Sequence, residues 1–226
     1  EEIALLVKKA AASVRQLNIA LSGGSTPKLL FTVLAIKYGK VLPWEFVHFF
    51  WGDERCVPPH DPESNFGVAN KIFLEKIDIP HINIHRVMGE DDPGTEAARY
   101  SEEILKFTRL RHGLPVFDLV LLGLGDDGHT ASIFPGQADF LTTEKICGVA
   151  SHPQTGQKRI TITGRVINNA ENVVFLVSGA NKAEIVADII EKPGITDYPA
   201  AAIEPTDGVL KWYLDIDAAS MLGQWA

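Results

Sequence analysis

Cysteine is scarce in this sequence. Cys56 and Cys147 are the only two in 226 residues, and they form no C-x-x-C pair. That is too few for a disulfide framework and suits a reducing compartment, so the cytoplasm is the expected location. Long apolar runs are also lacking: none approaches the ~18 residues needed to cross a bilayer. The opening "EEIALLVKKAAASVRQ" puts acids first and lysines in its middle, unlike a secretory leader. It begins on Glu1 rather than Met, so the natural start is expected upstream. Positive charge is in deficit, with 21 Lys and Arg against 29 Asp and Glu, a net charge of −8. Nucleic acid and anionic membranes reward basic patches, so neither is expected as a partner. A small anion remains admissible if a local group of donors and cations holds it. No repeat, low-complexity tract or linker breaks the chain, and one α/β domain over residues 1–226 is expected.

What is present is an alternation of short β-like runs with helical stretches. Strands are expected at 18–21, 46–52, 117–123, 145–150, 159–163, 172–178 and 210–215, several of them apolar on both faces as buried strands are. Helices are expected at 2–16, 27–38, 64–75, 94–109 and 181–191. Thr26 as N-cap, Pro27 at the first helical position and Gly39 past the end punctuate the second. "GEDDPGTE" (89–96) reads as a connection from a strand to a helix. The alternation predicts a mainly parallel open sheet with helices on both faces, a Rossmann-like three-layer α/β fold.

Open α/β sheets bind ligands at the carboxyl ends of their strands. Four polar motifs fall there. "LSGGSTP" (21–27) supplies turn glycines Gly23 and Gly24, hydroxyls from Ser22, Ser25 and Thr26, and the N–H groups of a helix start: a phosphate cradle, or else a tight turn with a good cap. It lacks the Gly-Lys-Ser/Thr ending of a P-loop. "GDERCVPP" (52–59) brings Asp53, Glu54 and Arg55 together where an apolar strand stops. This is a solvated charge cluster, or an Arg55 that meets developing negative charge with Asp53 positioning a hydroxyl or a base. "SN" (64–65) follows and is placed to hold that loop.

"GLGDDGHTASIFPG" (123–136) carries Gly123, Gly125 and Gly128 at the spacing of a dinucleotide fingerprint. A fingerprint needs a long helix from Gly128, which Pro135 and Gly136 would stop, and Asp126 and Asp127 would face the pyrophosphate. A catalytic turn fits better: His129 stands at a strand end, with Asp127 near enough to fix its tautomer and raise its basicity. In "SGANKAE" (178–184), Asn181 and Glu184 have capping-box spacing, and Lys182 in a first helical turn opposes the macrodipole unless an anion binds there. Arg159, in "KRITIT", shares a strand face with Thr161 and Thr163, but on a parallel strand it would lie at the wrong end. Other candidates are set aside. His81 and His85 lie on extended chain rather than a helix, so no metal site is expected from them. His48 reads as a satisfied sheet histidine, His60, His112 and His152 as loop residues, and Trp44, Trp51, Trp212 and Trp225 as packing.

These segments, with "WGDERCVPPHDPESNFG" and "YPAAAIEPTDGVLKWYLD", make the chain resemble the 6-phosphogluconolactonase and glucosamine-6-phosphate deaminase family from about residue 18 to 217. The resemblance implies hydrolysis of 6-phospho-D-glucono-1,5-lactone in the oxidative pentose phosphate pathway. It implies His129 as base, Gly23 to Thr26 with Arg159 and Lys182 as phosphate holders, and Arg55 beside the substrate. The deaminase branch continues its turn into Asn-Glu-Pro-Gly, whereas this chain reads "SIFPG", without the acid. That departure favours the lactonase over an isomerase or deaminase. A non-catalytic sugar-phosphate sensor, the other alternative, would not need the His129–Asp127 pair. No metal or organic cofactor is expected, because an ester carbonyl is already electrophilic. The expected partner is a small phosphorylated sugar lactone, and the expected assembly a monomer or small homo-oligomer.

Overall fold

Apolar strands buried on both faces form the centre of the fold. A computed structural model describes residues 1–192, 194 and 197–223. Helix α1 (Glu2–Ala12) precedes β1 (Leu17–Leu21), all five residues of which are buried. Helix α2 (Ser25–Val33) continues into a π-helical turn at Leu34–Tyr38, with Gly39 after it. The fully buried β2 (Val47–Trp51) runs into the short β3 (Asp53–Arg55), and α3 (Asn65–Ile72) follows. Helix α4 (Pro93–Phe107) has Pro93 in its first turn and Asp92 as N-cap, its carboxylate accepting from the Thr95 N–H at 2.9 Å. "GEDDPGTE" is therefore largely a helix cap. A hairpin of β4 (Arg109–Arg111) and β5 (Leu114–Val116) leads to β6 (Leu119–Leu122), again wholly buried. The rest comprises α5 (Asp139–Thr142), β7 (Cys147–Ser151), β8 (Lys158–Ile162), α6 (Gly164–Asn168), β9 (Asn172–Val177), α7 (Ala183–Glu191) and β10 (Val209–Leu214).

The central sheet has the order β10-β9-β6-β1-β2, with all pairings parallel. From β1 the chain moves to β2 on one side. It later returns to β6 on the other side and continues outward through β9 to β10. Because crossovers between parallel strands are right-handed as a rule, crossovers running in opposite directions from β1 put helices on both faces. The direction reverses between β1 and β6, the topological switch point where open α/β sheets form their binding crevice. The loops that leave these two strands are "SGGST" and "GLGDDGH".

Two of the expected strands do not join this sheet. Those read at 145–150 and 159–163 are β7 and β8, and they form a separate antiparallel sheet with β3. Apolar residues do mark both as strands, but a local pattern carries no information about pairing direction.

The aromatic core packs Phe31 on Phe73, Trp44 edge-on to Phe73 and Phe50 edge-on to Phe117. Trp44 and Trp51 are fully buried, Trp212 stacks on Phe175 with centroids 4.0 Å apart, and Trp225 lies outside the described residues. Among the described residues, no helix is long and apolar enough to cross a membrane.

Candidate active site

At the switch point a cleft of about 200 Å³ is lined by Ser22 to Pro27, Asp53, Arg55, Asn65, Gly123 to Gly125, His129, Ala131, Arg159, Leu176 to Ser178 and Lys182. The residues singled out in the sequence therefore converge on it. Asp127 is not part of the wall; it stands beside the imidazole.

The turn after β6 is built around that imidazole. Gly125 N–H donates to the His129 carbonyl at 2.8 Å, and Gly128 N–H to the Gly125 carbonyl at 3.2 Å. Asp127 Oδ1 lies 2.5 Å from His129 Nδ1 and also accepts the His129 backbone N–H at 3.1 Å. Partial burial pushes the Asp127 carboxyl up, but the imidazole outweighs it and holds the group below its ordinary value. The glycines serve this pair rather than a pyrophosphate. A Cβ on Gly125 would sit 2.1 Å from His129 Nδ1, and Gly128, at φ 79°, would drive a Cβ into the Tyr198 ring at 2.4 Å. No long helix follows; α5, four residues long, starts only at Asp139.

Beyond His129 the loop is tied to the antiparallel sheet. Thr130 Oγ1 donates to the Gly123 carbonyl, Ser132 Oγ to Asp53 Oδ2 at 2.7 Å, and Ser132 N–H to Thr161 Oγ1 at 3.2 Å. Phe134, fully buried, packs against the His129 ring at 4.7 Å between centroids and lies 5.5 Å below the Arg159 guanidinium. His152, read as a loop residue, rests edge-on against the same Phe134.

Arg159 reaches the cleft because β8 is antiparallel. Its uncertain end is settled by the register, in which Arg159 pairs directly with Arg55 of β3. Burial and the neighbouring Arg55 charge lower its pKa. Arg159 Nε donates to Gln157 Oε1 and Arg55 Nη1 to the Glu63 carbonyl, both uncharged acceptors on the side chain or backbone. Among the described residues, Arg55 Nε is buried without a partner, as is the Ser22 hydroxyl just past the end of β1.

Asp53 and Glu54 are buried rather than a solvated cluster. Glu54 accepts from the N–H groups of Arg55, Asn65 and Phe66 and from Ser64 Oγ, bracketing the start of α3. Burial raises its carboxyl to about 7, against the pull of those N–H groups. "SN" does hold the loop: Ser64 caps α3 by accepting from Gly67 N–H, and Asn65 Nδ2 donates to the Asp53 carbonyl at 2.9 Å. Asn65 also enters the cleft wall, which its position in "ESNFG" gave no reason to expect.

Two helix-start expectations are corrected. Gly24, at φ 104°, is the residue before α2; Thr26 lies inside the helix and its hydroxyl hydrogen-bonds Ser178 Oγ at 2.8 Å. Asn181 and Glu184 form no capping box. A 3-10 turn at Ala180–Lys182 precedes α7, Lys182 is the residue before the helix, and Asn181 Nδ2 donates to Asp126 Oδ1 at 3.0 Å. Both hydroxyl and amide found partners across the cleft mouth, a competition that chain-local patterns cannot register.

The chain matches the sequence pattern of the glucosamine-6-phosphate isomerase/6-phosphogluconolactonase family over residues 1–212. It belongs to that family. It is 46% identical over 207 residues to the 6-phosphogluconolactonase of Haemophilus influenzae, covering 91% of this chain and 87% of that one. Among solved structures, the devB protein superposes with a TM-score of 0.90 at 46% identity, covering 97% of this chain and 95% of that one. The 6-phosphogluconolactonase from Trypanosoma brucei gives 0.89 at 30% identity, covering 98% and 92%. The cleft described here is thus that of a family member, lined both by His129 of its Asp-Gly-His turn and by its glycine-serine loop.

Proposed function

We propose that this protein hydrolyses 6-phospho-D-glucono-1,5-lactone to 6-phosphogluconate, with His129 as general base. It is a carboxylic ester hydrolase acting on a small phosphorylated sugar lactone. One observation carries the mechanism: an imidazole backed by a carboxylate opens onto the same cleft as a glycine-hydroxyl loop and three cations.

In this reading the phosphate binds among Gly23, Gly24, Ser25, Thr26, Arg159 and Lys182, where hydroxyls, helix-start N–H groups and positive charge coincide. His129 donates its Nδ1 proton to Asp127, which leaves the Nε2 lone pair as the proton acceptor. Water attacks C1 of the lactone while Nε2 takes its proton. Charge that develops on the carbonyl oxygen is met by Arg55 or a backbone N–H. When the tetrahedral intermediate collapses, the C1–ring oxygen bond breaks and the imidazolium returns the proton to that oxygen. Asp53, locked by Ser132, positions a substrate hydroxyl. General base catalysis of this kind contributes ~10²–10⁴-fold.

The test is a lactone-opening assay, with spontaneous opening subtracted, on substrate with and without its 6-phosphate. The wild-type protein should prefer the phosphorylated lactone, and His129→Ala should lose most turnover while still binding 6-phosphogluconate. Near-wild-type turnover in that variant would remove His129 from the chemistry.

A further inference from the structure

The three cations of the cleft differ in what already neutralises them. Arg55 and Arg159 donate to uncharged acceptors. Lys182 Nζ instead makes an ion pair with Asp126 Oδ1, which Asn181 Nδ2 also binds. The lysine side chain is 15% exposed and lines the cleft, whereas the Asp126 side chain is 76% exposed and is not part of the cleft wall. The Lys182 hydrogen bond holds the Asp126 carboxyl below its usual range, so it stays anionic at neutral pH. The consecutive carboxylates of the turn therefore engage two different groups of the site, Asp127 the imidazole and Asp126 the ammonium.

A phosphate that pairs with Lys182 must share the ammonium with this carboxylate. Two anions on one ammonium repel each other, and the exposed Asp126 can turn into water at little cost. We infer that Asp126 is an internal counter-ion that competes with the substrate phosphate for Lys182 and so limits affinity for phosphorylated ligands. This rests on the assignment of Lys182 to the phosphate site. It gives the empty site a neutralised lysine and gives the departing product a carboxylate ready to replace it. A carboxylate in this place is a specificity determinant even though it need not touch the substrate.

Calorimetric titration of the full chain with 6-phosphogluconate and with gluconate tests it. Asp126→Asn keeps an acceptor oxygen for Lys182 and removes only the charge. It should tighten 6-phosphogluconate binding by about two- to fivefold, the range of an exposed ion pair, and leave gluconate binding as it was. Lys182→Ala should weaken 6-phosphogluconate binding. If Lys182→Ala weakens it while Asp126→Asn leaves it unchanged or weaker, the counter-ion role falls and Asp126 merely positions the lysine. Equal tightening toward gluconate would also overturn it, since the carboxylate would then act on the whole cleft. If Lys182→Ala changes nothing, the phosphate-site assignment itself fails and the inference goes with it.

Discussion

Arg55 and Arg159 face each other directly across an antiparallel strand pair, and no carboxylate within ion-pair distance joins them among the described residues. Like charges at opposed cross-strand positions are destabilising, so the pair is a standing cost to the empty protein. A bound dianion reverses that cost. Phosphate or 6-phosphogluconate should therefore raise the melting temperature. At 100 times its dissociation constant a ligand adds about 2.7 kcal/mol, roughly 5–10 °C for a chain of this size. Arg159→Gln should shrink the shift several-fold in a thermal melt series. An undiminished shift would place the anion elsewhere.

Asp127 touches His129 and not the cleft. Asp127→Asn should lower kcat by about 10–100-fold, less than loss of the imidazole itself, with KM little changed. Steady-state kinetics on the phosphorylated lactone distinguish the cases. A pure rise in KM would make Asp127 a binding residue instead.

Gly23 has no room for a side chain. A Cβ there would lie 1.8 Å from Asn65 Oδ1, and Asn65 is anchored to the Asp53 carbonyl. Gly23→Ala should cost about 1–3 kcal/mol in a urea titration and raise KM as Asn65 is displaced. Wild-type stability and KM together would show that the loop yields freely.

Far from the cleft, His48 Nδ1 lies 2.8 Å from His85 Nε2, and His85 Nδ1 2.7 Å from Glu103 Oε1. The chain is satisfied with both rings neutral, each donating once toward the carboxylate. Burial, then the neighbouring His85, lowers the His48 pKa to about 4 from an ordinary 6.5. Between those values the unfolded chain takes up a proton that the native state refuses. Stability is therefore full above pH ~6.5 and falls as pH drops toward 4, by up to about 3 kcal/mol. His48→Asn keeps a donor to His85 but cannot titrate. It should flatten the slope in urea midpoints measured from pH 7 to 4, and an unaltered slope would assign the loss to other groups.

The sequence alone determined the seven longer strands, the principal helices and most of the cleft, but not the short strands β3, β4 and β5 or the short helices α5 and α6. Runs such as "NIAL" and "DLVLL" must be buried on both faces, and polar loops at their carboxyl ends must then share one edge. Pro135 and Gly136 excluded a cofactor helix, and the pairing of Asp127 with His129 followed from a two-residue separation. Only the tertiary structure decided the rest. It turned β8 antiparallel, which moved Arg159 from a doubtful strand end to a position opposite Arg55. It sent Asn181 to Asp126 instead of to a helix cap, and it brought Asn65 beside Gly23. Local patterns fix what a residue does with its chain neighbours, because hydrophobic period and capping act within a few residues. Partners contributed by distant strands depend on which edges pair and in which direction, and that is set by packing of the whole chain.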